Sequence, residues 1–370
     1  MYKKIHPVFR ILIVLLPVWF VWFYLTQAGW YYMYDDYAKE MFIHSAAHEA
    51  VDRDYKVLIL GDSMSNAAFL PELLSEDTLN LSITGGSCIE SYFILKNYIK
   101  THGAPDHVIF ASRHDAFCDD SYIESHFYYH QFSLSEAIDI HRTLLQSKDD
   151  PEMYKSAYHP LEWYKDLFYV PSAYIPALFN AKIYQRRESN LGMLGILQTH
   201  RGNWLALRTE SLIGTYETEK THLEEFKVLD FNDHYFDLFC KLCADNNIDL
   251  LLMRAPYSSN FSYSEKFMQD YRDYFDSYVN KYDGIRAELS FDVMDDLYFY
   301  DNGHLNLRGA YLFSTRMREK HPEIFDSSLP VSQGTIDSLQ LDREIETEEP
   351  YLSWWDEEIQ QQTARMNRGE

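Results

Sequence analysis

The sequence predicts an α/β fold: a parallel sheet sandwiched between helices, carrying a helical insertion and preceded by one transmembrane helix. Short apolar runs stopped by glycine or proline alternate with segments of helical apolar spacing, which is the pattern of βαβ crossovers. A long aromatic-rich stretch interrupts that alternation, and an uncharged apolar run precedes it. The 370 residues are 46% hydrophobic and 16% aromatic, enough for one elaborated domain or two with a packed core. A charge sum of 33 − 57 = −24 argues against a nucleic-acid partner, because phosphate neutralisation needs a Lys/Arg surface.

Positions 1–30 read as a cytoplasmic tail and signal anchor. Ile11 to Leu25 carries no charge, with Lys3, Lys4 and Arg10 before it and Asp35 and Asp36 after it. The positive-inside rule then places the N-terminus in the cytoplasm and the rest of the chain outside a bacterial cytoplasmic membrane. Continued through Trp30, the run is about twenty residues, enough to cross roughly 30 Å of hydrocarbon at 1.5 Å per residue, and Pro17 kinks such a helix without forbidding a span. The alternative is a cleaved signal peptide with Thr26-Gln27-Ala28 at the cleavage site. Either reading exports the same domain, where four cysteines meet an environment that permits disulfides.

After a connector at 31–55, the main domain is expected over 56–325. Lys56 to Leu60 reads as a buried strand stopped by Gly61, Thr78 to Ile83 as a second, Cys88 to Ile99 as a helix and His107 to Ala111 as a third strand. The alternation returns with a helix over Phe231 to Asn246, a strand over Ile248 to Arg254 stopped by Ala255-Pro256, and a helix over Ser262 to Tyr282. Between these halves, 116–230 reads as a mostly helical insertion whose aromatics either form its own core or line a sugar or acyl-chain groove. Positions 330–370 hold ten acids against three bases, so 326–370 reads as an acidic tail.

Chemistry concentrates at two places. The strand ending at Leu60 delivers Gly61-Asp62-Ser63 at the carboxyl edge of the sheet, where open α/β sheets present reactive groups. Near the other end of the domain, Asp301-Asn302-Gly303-His304 sets a carboxylate three residues before a histidine on a glycine-containing turn. Such a carboxylate curls back to accept the Nδ1 proton and leaves Nε2 facing a serine from another strand end. Each motif alone is more often a plain turn; both at strand ends of one parallel sheet point to a nucleophile and its base.

These pieces resemble the SGNH, or GDSL-type, hydrolase superfamily. Gly61-Asp62-Ser63-Met64-Ser65 is similar to its first block, Asn80-Leu81-Ser82-Ile83-Thr84-Gly85 to its second and Asp301-Asn302-Gly303-His304-Leu305-Asn306 to its last, over about 57–115 and 231–318. The resemblance implies a flavodoxin-like α/β/α sandwich with Ser63 as nucleophile, His304 as general base and then acid, and Asp301 orienting the imidazole. It also implies an oxyanion hole made by the backbone N–H groups of Ser63 and Gly85. Where the family carries Gly-x-Asn-Asp, this chain has Ser112-Arg113-His114-Asp115, which puts His114 in the asparagine's place. An imidazole N–H or the Arg113 guanidinium rebuilds the third donor, or the hole is degraded.

The anchor and outside location are similar to a membrane-anchored subset of the superfamily, that of DltD, the D-alanyl transfer protein of teichoic acid modification, and of polysaccharide O-acetylation proteins. That subset implies an acyl donor, a glycan or lipid-linked polymer as acceptor, and a membrane-bound O-acyltransferase as partner. The alternatives are an esterase, and a catalytically decayed glycan-binding scaffold. No cofactor and no metal are implied. Cys240-x-x-Cys243 lies within a helix and reads as buried structural thiols, Cys88 and Cys118 are close enough in the pattern to form a disulfide, and His44 and His48 share a helix face without an acid between them.

Overall fold

The computed structural model describes residues 7–27, 36–49, 53–118, 123–128, 130–149, 183–204, 220–291 and 293–325, with 364 and 368. The acidic tail and most of 150–220 lie outside these. Five strands form one parallel sheet: β1 (Val57–Gly61), β2 (Thr78–Asn80), β3 (His107–Ser112), β5 (Asp249–Arg254) and β7 (Ile285–Glu288), in the order β2-β1-β3-β5-β7. The chain leaves β1 to one side for β2 and crosses back to β3 on the other. The carboxyl ends of β1 and β3 are therefore the topological switch point, where such sheets place their ligands.

Alternate residues along the strands feed opposite faces. Leu58, Leu60, Val108, Phe110, Leu250 and Leu252 point into the larger core, covered by α5 (Cys88–His102), α10 (Asp230–Asp245) and α11 (Glu265–Lys281). Val57, Ile59, Ile109, Ala111, Leu251 and Met253 point into the smaller one, with Phe69 and Leu74 beside α3 (Ser63–Ala68) and α4 (Pro71–Leu74), and Met317 of α12 (Leu307–Lys320). The architecture is α/β with helices on both faces.

The second strand is shorter than the apolar run 78–83 predicts. Beyond Asn80 the backbone still tracks β1, with Leu81 N–H donating to Ile59 O (2.8 Å) and Ile83 N–H to Gly61 O (3.0 Å), but it bends towards the site. β7 escapes the sequence reading because Ile-Arg-Ala-Glu buries only Ile285 fully. The helix expected from Ser262 starts at Glu265, where Ser264 Oγ caps it by accepting Phe267 N–H. Phe261–Tyr263 instead forms β6, which pairs in parallel with β4 (Thr221–Leu223) in a separate two-stranded sheet.

The described parts of the insertion are α6 (Asp115–Cys118), α7 (Ile123–Tyr128), α8 (Leu134–Gln146), α9 (Ile183–Thr199) and β4. Several of its aromatics are core: Phe127 and Phe132 are buried with Phe93, and Phe226 with Phe267 and Tyr271. Upstream, α1 (Pro7–Gln27) contains Pro17 and exposes Phe9 and the apolar side chains of 11–20, and α2 (Asp36–His48) packs on α5 and α9. Among the described residues no helix is long and apolar enough to cross a membrane.

All four cysteines are free thiols, so the pairing that the pattern left open for Cys88 and Cys118 is not formed; Cys88 Sγ instead donates to Asn232 O at 3.1 Å. Cys240 and Cys243 are fully buried in α10, and burial pushes both thiols up. His44 and His48 stack at 4.1 Å, and no group of three or more possible metal ligands occurs among the described residues.

Candidate active site

Gly61 ends β1 with φ +140°, and a Cβ there would lie 1.8 Å from Ala111 O on β3, so only glycine lets the two strands approach this closely. The next residue, Asp62, is buried and caps α3: Oδ1 accepts Met64 N–H at 2.9 Å and Ser65 N–H at 3.3 Å. Ser63 is thereby fixed as the first residue of the helix. Its N–H is one of those a helix leaves without an intrahelical acceptor. Ser65 Oγ donates to Ala111 O, tying α3 to the end of β3.

The histidine arrives on a strapped turn. Phe299 and Leu305, both buried, form an antiparallel bridge that closes 300–304, and Tyr300 N–H donates to His304 O at 2.8 Å. Inside the turn Asp301 Oδ1 accepts Gly303 N–H (2.9 Å) and His304 N–H (2.8 Å). From outside, Ser258 Oγ donates to Asn302 O (2.6 Å) and Asn260 Nδ2 to Asn302 Oδ1 (2.7 Å). Asn306 then caps α12 by accepting Gly309 N–H.

Ser63 and His304, 241 residues apart, meet: Oγ and Nε2 are 2.8 Å apart. His304 Nδ1 lies 2.8 Å from Asp301 Oδ2 and 2.9 Å from Oδ1. A carboxylate only accepts, so Nδ1 carries the proton, Nε2 is bare and the serine hydroxyl donates to it. Burial raises the Asp301 carboxyl, but the hydrogen bonds and charge of His304, with the two backbone N–H groups, outweigh it and hold the carboxyl below its usual value. The His304 side chain is 27% exposed, which leaves the site open to a substrate.

Gly85 lies on the turn after β2 with φ +67°. A Cβ on the following Gly86 would meet Ile83 Cγ2 at 2.3 Å and Gly61 O at 2.7 Å, which fixes this turn against the end of β1. The third block is divided in its contacts. Arg113 is engaged by Asp62: its N–H donates to Oδ2 at 2.9 Å and its Nε lies 3.7 Å from the same oxygen. His114 N–H donates to the Tyr257 hydroxyl at 3.3 Å, and His114 Nδ1 lies 3.3 Å from that oxygen.

Sequence reasoning missed several residues that build this site. Asn66, on α3, donates to Gly202 O (2.9 Å) and Ser82 O (3.2 Å) and accepts Trp204 N–H (3.1 Å), so it docks the segment following α9. That segment covers the edge of β2, where Asn80 N–H donates to Arg201 O at 2.9 Å. It carries Trp204, whose ring centroid is 6.3 Å from that of His304 and has the Lys39 ammonium 3.1 Å above it. Nothing in the local sequence marks these roles. The capping box Ser87-x-x-Glu90 was legible, since Ser followed three residues later by Glu before an apolar run is its signature.

No protein-family model matches the sequence, and no curated protein matches it. Fold and site define an α/β protein with a serine, a histidine and an aspartate in hydrogen-bonded sequence at the carboxyl edge of a parallel sheet.

Proposed function

We propose that this chain is a membrane-anchored, extracytoplasmic SGNH-type serine acyl-transfer enzyme, acting in O-acylation of a cell-envelope polysaccharide. The observation that carries the reading is the 2.8 Å approach of Ser63 Oγ to His304 Nε2 with Asp301 on Nδ1. Ser63 Oγ attacks the acyl carbonyl while Nε2 takes its proton, and Asp301 stabilises the imidazolium. The oxyanion is held by the N–H groups of Ser63 and Gly85, with the His114 imidazole as third donor; such donors are worth roughly 3–4 kcal/mol each. Collapse of the adduct expels the leaving group, which His304 protonates, and acyl-Ser63 remains. An acceptor hydroxyl then gives its proton to Nε2 and takes the acyl group, restoring Ser63.

The uncharged run Ile11 to Leu25, flanked by cations before and acids after, supports the anchor, and the subset similar to DltD supports a membrane-bound O-acyltransferase as partner. The 44% exposure of the Asp301 side chain favours a second reading, an esterase with water as acceptor, which uses the same three residues. The test is mass-spectrometric detection of a fluorophosphonate adduct on Ser63 in the detergent-solubilised full chain, beside His304→Ala. An adduct that depends on His304 is expected. A folded parent that forms none refutes the enzyme readings and favours a glycan-binding scaffold.

A further inference from the structure

We infer that His126, in the insertion, is the positioning residue of the oxyanion turn: it grips the carbonyl of the Thr84–Gly85 peptide and so aims the Gly85 N–H. The inference rests on the acyl-transfer reading, in which that N–H receives the developing charge. His126 Nε2 donates to Thr84 O at 2.9 Å, and Nδ1 donates to Glu90 Oε1 at 2.7 Å. Thr84 C=O and Gly85 N–H are the two ends of one planar peptide unit and point in opposite directions. Holding the oxygen therefore fixes the direction of the hydrogen. It also polarises the amide, which strengthens the N–H as a donor.

The grip is needed because the turn is otherwise free to rotate there. Gly85, at φ +67°, has no Cβ to resist a flip of that peptide. The flanks are already held. Gly86 N–H donates to Ile83 O at 2.9 Å, and Ser87 N–H and Oγ donate to Glu90 Oε2 at 2.7 and 2.5 Å. Glu90 thus binds the foot of the turn through one oxygen and His126 through the other, and His126 closes the loop onto Thr84.

Both partners of the His126 ring are acceptors only, so no neutral tautomer satisfies them and the ring is an imidazolium. Burial alone would lower its pKa; the Glu90 and Glu40 carboxylates, the latter 3.9 Å from Nε2, outweigh that and hold it up at about 9. A fully buried cation one peptide from an oxyanion donor is costly unless both nitrogens are paired, as they are here.

The test compares the full chain in detergent with His126→Phe and His126→Gln by two readouts. In His126→Phe, amide exchange of the peptide spanning Thr84–Ser87 is expected to quicken at least tenfold. Labelling of Ser63 by a fluorophosphonate is expected to slow by about ten- to a hundredfold, and kcat for p-nitrophenyl acetate to fall as much with KM unchanged, because oxyanion donors act in the transition state. His126→Gln, whose amide can still donate to Thr84 O, should recover part of the rate. A folded His126→Phe with unchanged exchange, or with parental labelling, overturns the inference. Should that variant not fold, Glu90→Gln keeps the helix cap while removing the charge partner, and the same two readouts decide. A parent that is never labelled while its exchange still responds to His126 refutes the triad and leaves the grip standing.

Discussion

Asp301→Asn separates the triad from a plain turn. Asp301 Oδ1 accepts two backbone N–H groups, from Gly303 and His304, so in the variant the amide oxygen stays at Oδ1 and the NH2 group takes the place of Oδ2. That group then lies about where Oδ2 now sits, 2.8 Å from His304 Nδ1. Two donors cannot face each other at that distance, and Oδ1, 2.9 Å from Nδ1, already accepts two backbone N–H groups, so the imidazole shifts to the tautomer with Nδ1 bare and the proton on Nε2. Nε2–H then points at Ser63 Oγ and cannot take its proton. The turn keeps its backbone bonds and the fold survives, while turnover falls by about 10⁴, the loss a wrong tautomer causes in such triads. At 1.36 kcal/mol per decade this is about 5 kcal/mol of transition-state stabilisation. The assay is the rate of Ser63 fluorophosphonate labelling in folded parent and variant. A variant within tenfold of the parent would refute the assignment of Asp301 and of the tautomer.

Other perturbations probe the frame. Gly61→Ala forces a Cβ to within 1.8 Å of Ala111 O at a backbone φ of +140°, so stability is expected to fall by about 3 kcal/mol or more, read as a lower denaturant midpoint; a variant as stable as the parent would mean that β1 and β3 are not this close. Asn66→Ala removes the bonds to Ser82 O, Gly202 O and Trp204 N–H and should cost about 1–3 kcal/mol, with increased proteolysis near Trp204 as the local readout. The His126–Glu90 pair, with Glu40 and Thr84 O as the other groups facing His126, predicts a pH window for stability. His126 has a pKa raised from 6.5 to about 9, so its contribution is fully present below 6.5 and is lost as pH rises through about 9. Burial opposes ionisation of Glu90, but His126 and Ser87 win and lower its pKa, so its contribution is present above the ordinary 4.5 and is lost on acidification. The difference in Tm between parent and Glu90→Gln should therefore shrink above pH 9, and a difference that persists to pH 10 would contradict the pairing.

What the sequence made legible has a physical reason in each case. β1, β3 and β5 are buried on both faces, so they read as unbroken apolar runs bounded by Gly61, Ser112 and Ala255. The Asp301–His304 relation was legible because it is local: the carboxylate, the imidazole and the turn bonds all lie within four residues. β7 was not, because an edge strand with one fully buried residue has no apolar signature. Nor were Trp204, 100 residues before His304, and His126, 42 residues after Thr84, which reach the site through polar contacts such as Asn66 to Gly202, and such contacts leave no periodicity. Arg113 and His114 were marked by their departure from the pattern of the superfamily the sequence resembles, but only the structure divides them, one to Asp62 and the other to Tyr257.

The described part of the insertion belongs to the domain core and cannot be removed as a lid could. Phe117, Ile123, Phe127, Phe132, Ile140 and Leu144 are all buried in the same cluster as Leu58, Leu60 and Val108 of the sheet. At about 1.5–3 kcal/mol for each buried side chain, their burial is worth on the order of 10 kcal/mol, comparable with the whole net stability of a typical domain. Two of the site's supports also come from this stretch: the bond from His126 to Thr84 O, and Trp204 beside His304. Replacing 116–228 by a short linker is therefore expected to abolish cooperative unfolding and Ser63 labelling together, because the larger face of the sheet loses much of its cover. A linker variant that unfolds cooperatively and still labels Ser63 would show that the sheet, α5, α10 and α12 suffice, and that the aromatics of the insertion serve the substrate and not the fold.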